Sequence, residues 1–135
     1  MTVITTSRKP VPEIRSLAKD LAYATGCEYL MRGKMGMKDL ISHDPVFFLI
    51  SKDKGIIRVE FFDNGKKISD FSVSAMTVTQ REDDQRKGIH LSNQSVYEQL
   101  KPYVPLELTE EGGRELSFDG TRRSRYNLTL AHHGT

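Results

Sequence analysis

Thr5-Thr6-Ser7-Arg8-Lys9-Pro10 places two cations and a set of hydroxyl side chains between a short apolar run and a helix-like segment. Such a turn can hold phosphate without catalytic machinery. Arg8 offers a planar fork of donors and Lys9 a point charge. Backbone N–H groups at the start of the following helix would add to the same anion site. A second basic turn, Arg32-Gly33-Lys34, follows the next apolar run. Arg32-Gly33-Lys34-Met35-Gly36 lacks the spacing of a nucleotide-binding phosphate loop.

Other chemistries find little support. A nucleophile needs an adjacent base that is itself oriented, and no local signature of that kind is present. His43, His90, His132 and His133 have no partner at metal-ligand spacing, and Glu82-Asp83-Asp84 lacks the spaced ligands of a calcium loop. No metal, cofactor or catalytic residue is therefore expected.

The elements that must position the two basic turns can be read from periodicity. Val3–Thr6 reads as a strand. Pro12 suits the first turn of a helix, and Ile14, Leu17, Ala18, Leu21 and Ala22 give that helix one apolar face before Gly26 stops it. Arg15, Lys19 and Tyr23 line its outward side. Cys27–Met31 reads as a second strand. If the first two strands are parallel neighbours joined by the helix, both basic turns lie at one end of the sheet. Arg8, Lys9, Arg32 and Lys34 then converge, with Ser7 beside them and Arg15 and Lys19 extending the track.

Downstream, Met37–Ser42 reads as a short helix and Val46–Ile50 as a strand buried on both faces. Asn64-Gly65 marks a hairpin, and Ile68, out of phase with Phe71 and Val73, predicts a bulge near Ser69 or Asp70. Residues 80–88 read as a surface loop. Ser92 or Asn93 caps a helix through Val96, Tyr97 and Leu100. Strands follow at 106–110, 114–118 and 126–130, with turns at Gly112-Gly113 and Asp119-Gly120 and a frayed tail from His132. Arg122, Arg123 and Arg125 form a further basic cluster. Alternation sends Tyr126 to the core and Arg125 to the surface, where it can meet RNA or a partner protein. Tyr23 and Tyr97 are other stacking candidates, with packing the commoner role for each.

The 135 residues suit one domain, 37% hydrophobic, with no apolar run long enough to cross a bilayer. The single Cys27 fits a reducing, cytoplasmic setting and reads as a small buried hydrophobe. Net charge is +2, but residues 1–38 hold seven cations against three carboxylates, leaving −2 on the remainder. That asymmetry suits a polyanionic partner.

Three segments resemble the Brix domain family of ribosome-biogenesis factors related to the Imp-four protein. They are Ile4–Pro10 with the helix Ile14–Leu21, then Tyr29–Met35, then Arg123–Leu130. In the last, Arg123-Ser124 stands where the family usually has Gly-Pro, so Arg125 and Tyr126 carry the match. The resemblance implies a single Brix domain over 1–135. Its fold would be α/β, a mixed β-sheet with packed helices in two related halves, each similar to the anticodon-binding domain of class II aminoacyl-tRNA synthetases. It implies a non-enzymatic RNA-binding factor in ribosomal RNA processing and subunit assembly. The partners would be ribosomal RNA or its precursor and other assembly proteins, with no membrane or DNA. The competing expectation is a protein-interaction module whose basic face meets an acidic protein surface.

Overall fold

The computed structural model describes residues 2–109 and 113–131. Glu110, Gly112 of the expected Gly112-Gly113 turn and the tail from His132 lie outside them. The described residues form one nine-stranded mixed sheet and three helices. The order along the chain is β1 (Val3–Thr6), α1 (Pro12–Thr25), β2 (Glu28–Tyr29), α2 (Met37–His43), β3 (Val46–Asp53), β4 (Ile56–Asp63), β5 (Lys66–Gln80), β6 (Ile89–Leu91), α3 (Gln94–Leu100), β7 (Leu106–Leu108), β8 (Glu115–Asp119) and β9 (Ser124–Leu130). Across the sheet the order is β2-β1-β3-β4-β5-β9-β8-β6-β7.

The ends of the sheet are alike. β1–α1–β2 is a parallel strand–helix–strand unit at one edge, and β6–α3–β7 is another at the opposite edge. β5 joins the two sides, pairing with β4 through Lys66–Val73 and with β9 through Val73–Gln80. The sides differ in strand direction. β3 runs parallel to β1, whereas β8 runs antiparallel to β6.

β1 is wholly buried because both faces of the sheet are covered beside it. Ile4, Phe48 and Ile50 point into the larger core, where Ile14, Leu17, Ala18 and Leu21 of α1 pack. Val3, Phe47 and Leu49 point the other way, onto Leu40 of α2 and Phe62. The continuous apolar run of β3 is thus explained by burial on both sides. Phe48 packs on Phe61 at 4.6 Å, and Phe61 on Tyr103 at 4.7 Å, which links the first half to the segment after α3. The Tyr103 hydroxyl also donates to Asp63 at 2.8 Å.

Local signals decide several boundaries. Gly26, at φ +73°, ends α1 in the left-handed region, and its N–H donates to the Ala22 carbonyl. Asn64-Gly65 has positive φ at both positions, as a two-residue hairpin turn requires. Lys54-Gly55 does the same between β3 and β4, a hairpin the sequence reading did not single out. The bulge falls at Ile68, because Phe61 pairs with Ser69 and Phe62 with Lys67. Asn93 accepts from the Val96 N–H at 3.0 Å and caps α3. β2 is only two residues long, and β6 was not anticipated.

The expected turn at Asp119-Gly120 is corrected. Asp119 is the last residue of β8 and fully buried, and the tight turn lies at Thr121–Ser124, with Arg122 and Arg123 both at positive φ. The Asp119 carboxylate accepts from the Arg86 N–H at 2.7 Å, from Arg86 Nη2 at 3.3 Å and from Arg125 Nε at 2.8 Å. Of the segment 80–88, expected as a surface loop, Gln80 belongs to β5, and the backbone at Arg86 is tied to the end of β8. Burial alone would push the Asp119 carboxyl upward. The hydrogen bonds from Arg125 and Arg86 outweigh it and hold the group well below the usual carboxylate range.

A carboxylate lowered on folding contributes stability above its unfolded value, about 3.9, and loses it as pH falls toward the folded value. Asp70 acts in the same sense, lowered to about 2 chiefly by its hydrogen bonds from Arg58. Removing the Asp119 charge leaves partly buried guanidinium groups without their counterion. Asp119→Asn should lower unfolding free energy at pH 7 by about 3–5 kcal/mol, read by urea denaturation. The variant should also lose less stability than the parent between neutral pH and the acid range. A variant of unchanged stability would show that the tie is not needed.

Candidate nucleic-acid interface

The sheet order β2-β1-β3 means that successive connections leave β1 in opposite directions. Strand β1 passes through α1 to β2 on one side, and β2 passes through α2 to β3 on the other. In open α/β sheets such a reversal leaves a crevice outside the carboxyl ends of the strands. Here the loops after β1 and β2 flank it. Ser7 N–H donates to the Ile50 carbonyl at 3.0 Å, and Leu30 N–H to the Ile4 carbonyl at 2.9 Å. Thr5 Oγ1 donates to the Leu30 carbonyl at 2.7 Å, so a buried threonine stitches the two basic loops together.

An open groove of about 830 Å³ lies at this end of the sheet. Ser7, Arg8, Lys9, Arg15, Lys19, Arg32 and Lys34 all line it. The crossover expected from sequence is present, since Val3 pairs with Glu28 and Ile4 with Tyr29 in parallel register. Residues up to 27 positions apart in sequence are thereby gathered by one strand pairing.

Among the described residues, none of the groove's cations makes an ion pair with a carboxylate. Several cations elsewhere do, such as Lys52 with Glu13 at 2.8 Å, Lys101 with Glu98 at 2.9 Å and Arg58 with Asp70, while Lys38, Lys54, Lys66, Lys87, Arg122 and Arg123 make no such pair among the described residues but are not gathered in the groove. Arg32 is half-buried, with Nε donating to the Met35 carbonyl at 2.8 Å and Nη1 to the Thr6 carbonyl at 3.4 Å. Its pKa is lowered, first by burial and then by the positive charge of Arg8. It remains protonated all the same. Arg8 and Arg32 are therefore like charges held near one another by the strand pairing, an arrangement that an anion between them would relieve. Lys9 sits at φ +54°, a left-handed conformation that is uncommon for a residue with a side chain. Arg15 Nη2 donates to the Pro10 carbonyl at 3.2 Å, bracing the loop.

Two parts of the sequence expectation do not carry over. The start of α1 is not part of the groove. Val11, Pro12 and Glu13 are absent from its lining, α1 has no capping side chain, and Glu13 brings a negative charge there. Arg125 is also not a free surface cation. It is half-buried, with Nε on Asp119 and Nη2 3.0 Å from Asp83, so its donors are engaged within the fold. Tyr126 does lie in the core, stacked on Phe118 at 4.7 Å, and its hydroxyl donates to Asp20. Tyr23 is exposed and donates to Gln85 at 3.0 Å, and Tyr97 lies under Lys101 at 5.6 Å. Neither lines the groove.

Sequence reasoning missed Tyr29 and Met31. Both line the groove, with Met31 72% exposed and Lys19 Nζ lying 5.7 Å from the Tyr29 ring centroid. The aromatic ring and thioether give a cationic groove an apolar part of its lining. Only the β1–β2 register and the phase of α1 together would have indicated the Lys19–Tyr29 contact. Among the described residues, no group of three or more His, Cys, Asp or Glu side chains could hold a metal ion. Nor, among the described residues, is any helix long and apolar enough to cross a membrane.

Comparison with known proteins adds relatives to this geometry. No family model matches the chain. A protein of Archaeoglobus fulgidus named "Probable Brix domain-containing ribosomal biogenesis protein" is 35% identical over 79 residues, 58% of this chain and 52% of that protein. Proteins of the same name from Methanococcus maripaludis and Methanococcoides burtonii are 36% identical over 70 residues and 48% identical over 40. These matches cover 50% and 30% of this chain, and 43% and 26% of those proteins. The match thus spans about half the length of these curated relatives or less. Among solved structures, the crystal structure of Mil, an archaeal Imp4-like protein, superposes with a TM-score of 0.66. It covers 96% of this chain and 97% of that one, at 19% identity, a likeness of fold. The chain is thus similar in sequence to archaeal proteins named as probable Brix domain-containing ribosomal biogenesis proteins and has the fold of an archaeal Imp4-like protein.

Proposed function

We propose that this protein is a non-enzymatic RNA-binding factor in ribosome biogenesis, a single Brix domain that holds precursor ribosomal RNA in the groove at the ends of β1 and β2. The observation that carries the reading is the convergence of Arg8, Lys9, Arg15, Lys19, Arg32 and Lys34 in one open groove without a carboxylate partner among the described residues. Phosphates would supply the missing counter-charge. Arg8 and Arg32 would clamp one of them, Ser7 would donate to it, and the α1 cations would follow the backbone onward. The names of the curated relatives agree with a role in ribosome biogenesis; a place in the cytoplasm beside other assembly proteins belongs to the same proposal. Arg125 would act on RNA only indirectly, by fixing the 81–88 segment. The likeness of each half to an anticodon-binding domain is part of the same reading, resting on the strand–helix–strand units at the two edges.

A second reading has one observation in its favour. The exposed Met31 beside Tyr29 gives the groove an apolar element that a phosphate track does not require. An acidic protein segment with apolar side chains would use it, which is the protein-interaction alternative.

Arg8 and Lys34 are exposed and make no hydrogen bond among those of the described residues, so replacing them should leave the fold intact. Arg8→Ala with Lys34→Ala should weaken binding to a precursor ribosomal RNA fragment. The slope of log affinity against log salt should fall by about 1.4–1.8, the loss of two phosphate contacts. Unfolding free energy should stay within about 0.5 kcal/mol of the parent, shifted if anything toward greater stability as Arg32 loses a like-charged neighbour. A folded double variant with unchanged affinity and slope would remove the groove from the proposal.

A further inference from the structure

β5 is longer than the strands on either side of it. Its pairing with β4 ends at Val73, while its pairing with β9 continues to Gln80. From Ser74 onward, therefore, no strand among the described residues pairs with the edge of β5 that faces away from β9. The segment is Ser-Ala-Met-Thr-Val-Thr-Gln, all of it exposed except the half-buried Met76, and Val78 is 50% exposed. Unpaired edges are ordinarily blunted by a charge, a proline or a covering loop. This one has no charged residue and no proline, and its β-branched residues favour an extended chain.

We propose that this edge pairs with the same edge of a second copy of the chain, antiparallel across a two-fold axis at Thr77. That register sets Thr77 against Thr77, Met76 against Val78 and Ala75 against Thr79. Apolar side chains then meet on the face that carries Tyr126 and Leu128, threonines and Ala75 meet on the other, and no like charges oppose. A self-complementary patch is what a two-fold interface requires. The ends of the contact agree in charge. Such a two-fold brings the Lys54-Gly55 tip between β3 and β4 of each copy beside the point where the other chain leaves β5. Glu82 and Asp84 are exposed there and make no ion pair among those of the described residues.

The test is the mass of the full chain in solution across a concentration series, by sedimentation equilibrium. The parent should dimerise reversibly. Thr77→Lys and Thr77→Glu should each weaken the dimer by about tenfold or more, because like charges would then face one another at the axis. Their circular dichroism should be unchanged, and an equimolar mixture of the two should restore dimers. In a Cys27→Ser background, Thr77→Cys should give a disulfide-linked dimer on mild oxidation, since residues opposed across antiparallel strands lie within disulfide reach. Ser95→Cys, on α3, should not. A parent that stays monomeric at every concentration would overturn the proposal. So would a dimer that Thr77→Lys leaves intact, or charge variants that fail to pair when mixed. If a lysine or glutamate variant does not fold, the cysteine pair still decides.

Discussion

The parallel pairing of β1 with β2 is the constraint on which the rest depends. It is short, with Val3 opposite Glu28 and Ile4 opposite Tyr29. Parallel strands need a crossover between them, and α1 supplies it. Once the crossover is made, both strands end at the same side of the sheet, and the loops that follow must lie together whatever their charge. The chain then crosses to the other side of β1 through α2, which opens the crevice between the loops. Burial of Ile4 under α1 and of Val3 against Leu40 and Phe47 holds β1 in place from both faces. The Thr5 bond to Leu30 fixes the spacing of the loops. Repulsion between Arg8 and Arg32 works against this arrangement, and the packing of β1 outweighs it.

The molecule treats its arginines in two ways. At the Asp119 end, Arg81, Arg86 and Arg125 surround one buried carboxylate, and their charges serve to close the fold. At the β1–β2 end, cations stand together without carboxylates. A sequence reading counts both groups as basic clusters. The difference comes from what each group meets in three dimensions. Asp119 is thirty-three residues beyond Arg86 and six before Arg125, and its burial is invisible until β8 and β9 are paired.

The same distinction explains what was legible. The crossover, the two-faced burial of β3, the Asn64-Gly65 turn and the bulge near Ser69 were readable because each has a local cause: helical spacing, an unbroken apolar run, positive φ, or a residue out of phase. Seven of the eight residues chosen for binding share one groove because they all depend on the one crossover. Arg125 did not join them, because alternation gives the face of a strand residue but not the charge waiting there. β6 escaped notice because three residues carry too little pattern, whereas β7, equally short, fell within the strand expected at 106–110. β6 pairs with β7 and β8, both distant from it in sequence. Tyr29 was quoted within a motif and yet missed as a groove residue, since its contact with Lys19 depends on helix phase over the strand.

The most direct test of the account follows backbone amide signals by NMR while a precursor ribosomal RNA fragment is added. The account predicts that the largest shifts fall on residues 7–10, on 29–34 and on the Arg15–Lys19 face of α1, with little change around Arg122–Arg125. Shifts concentrated at the Arg122–Arg125 turn, with the β1 and β2 loops unmoved, would contradict the claim that the crossover builds the binding site.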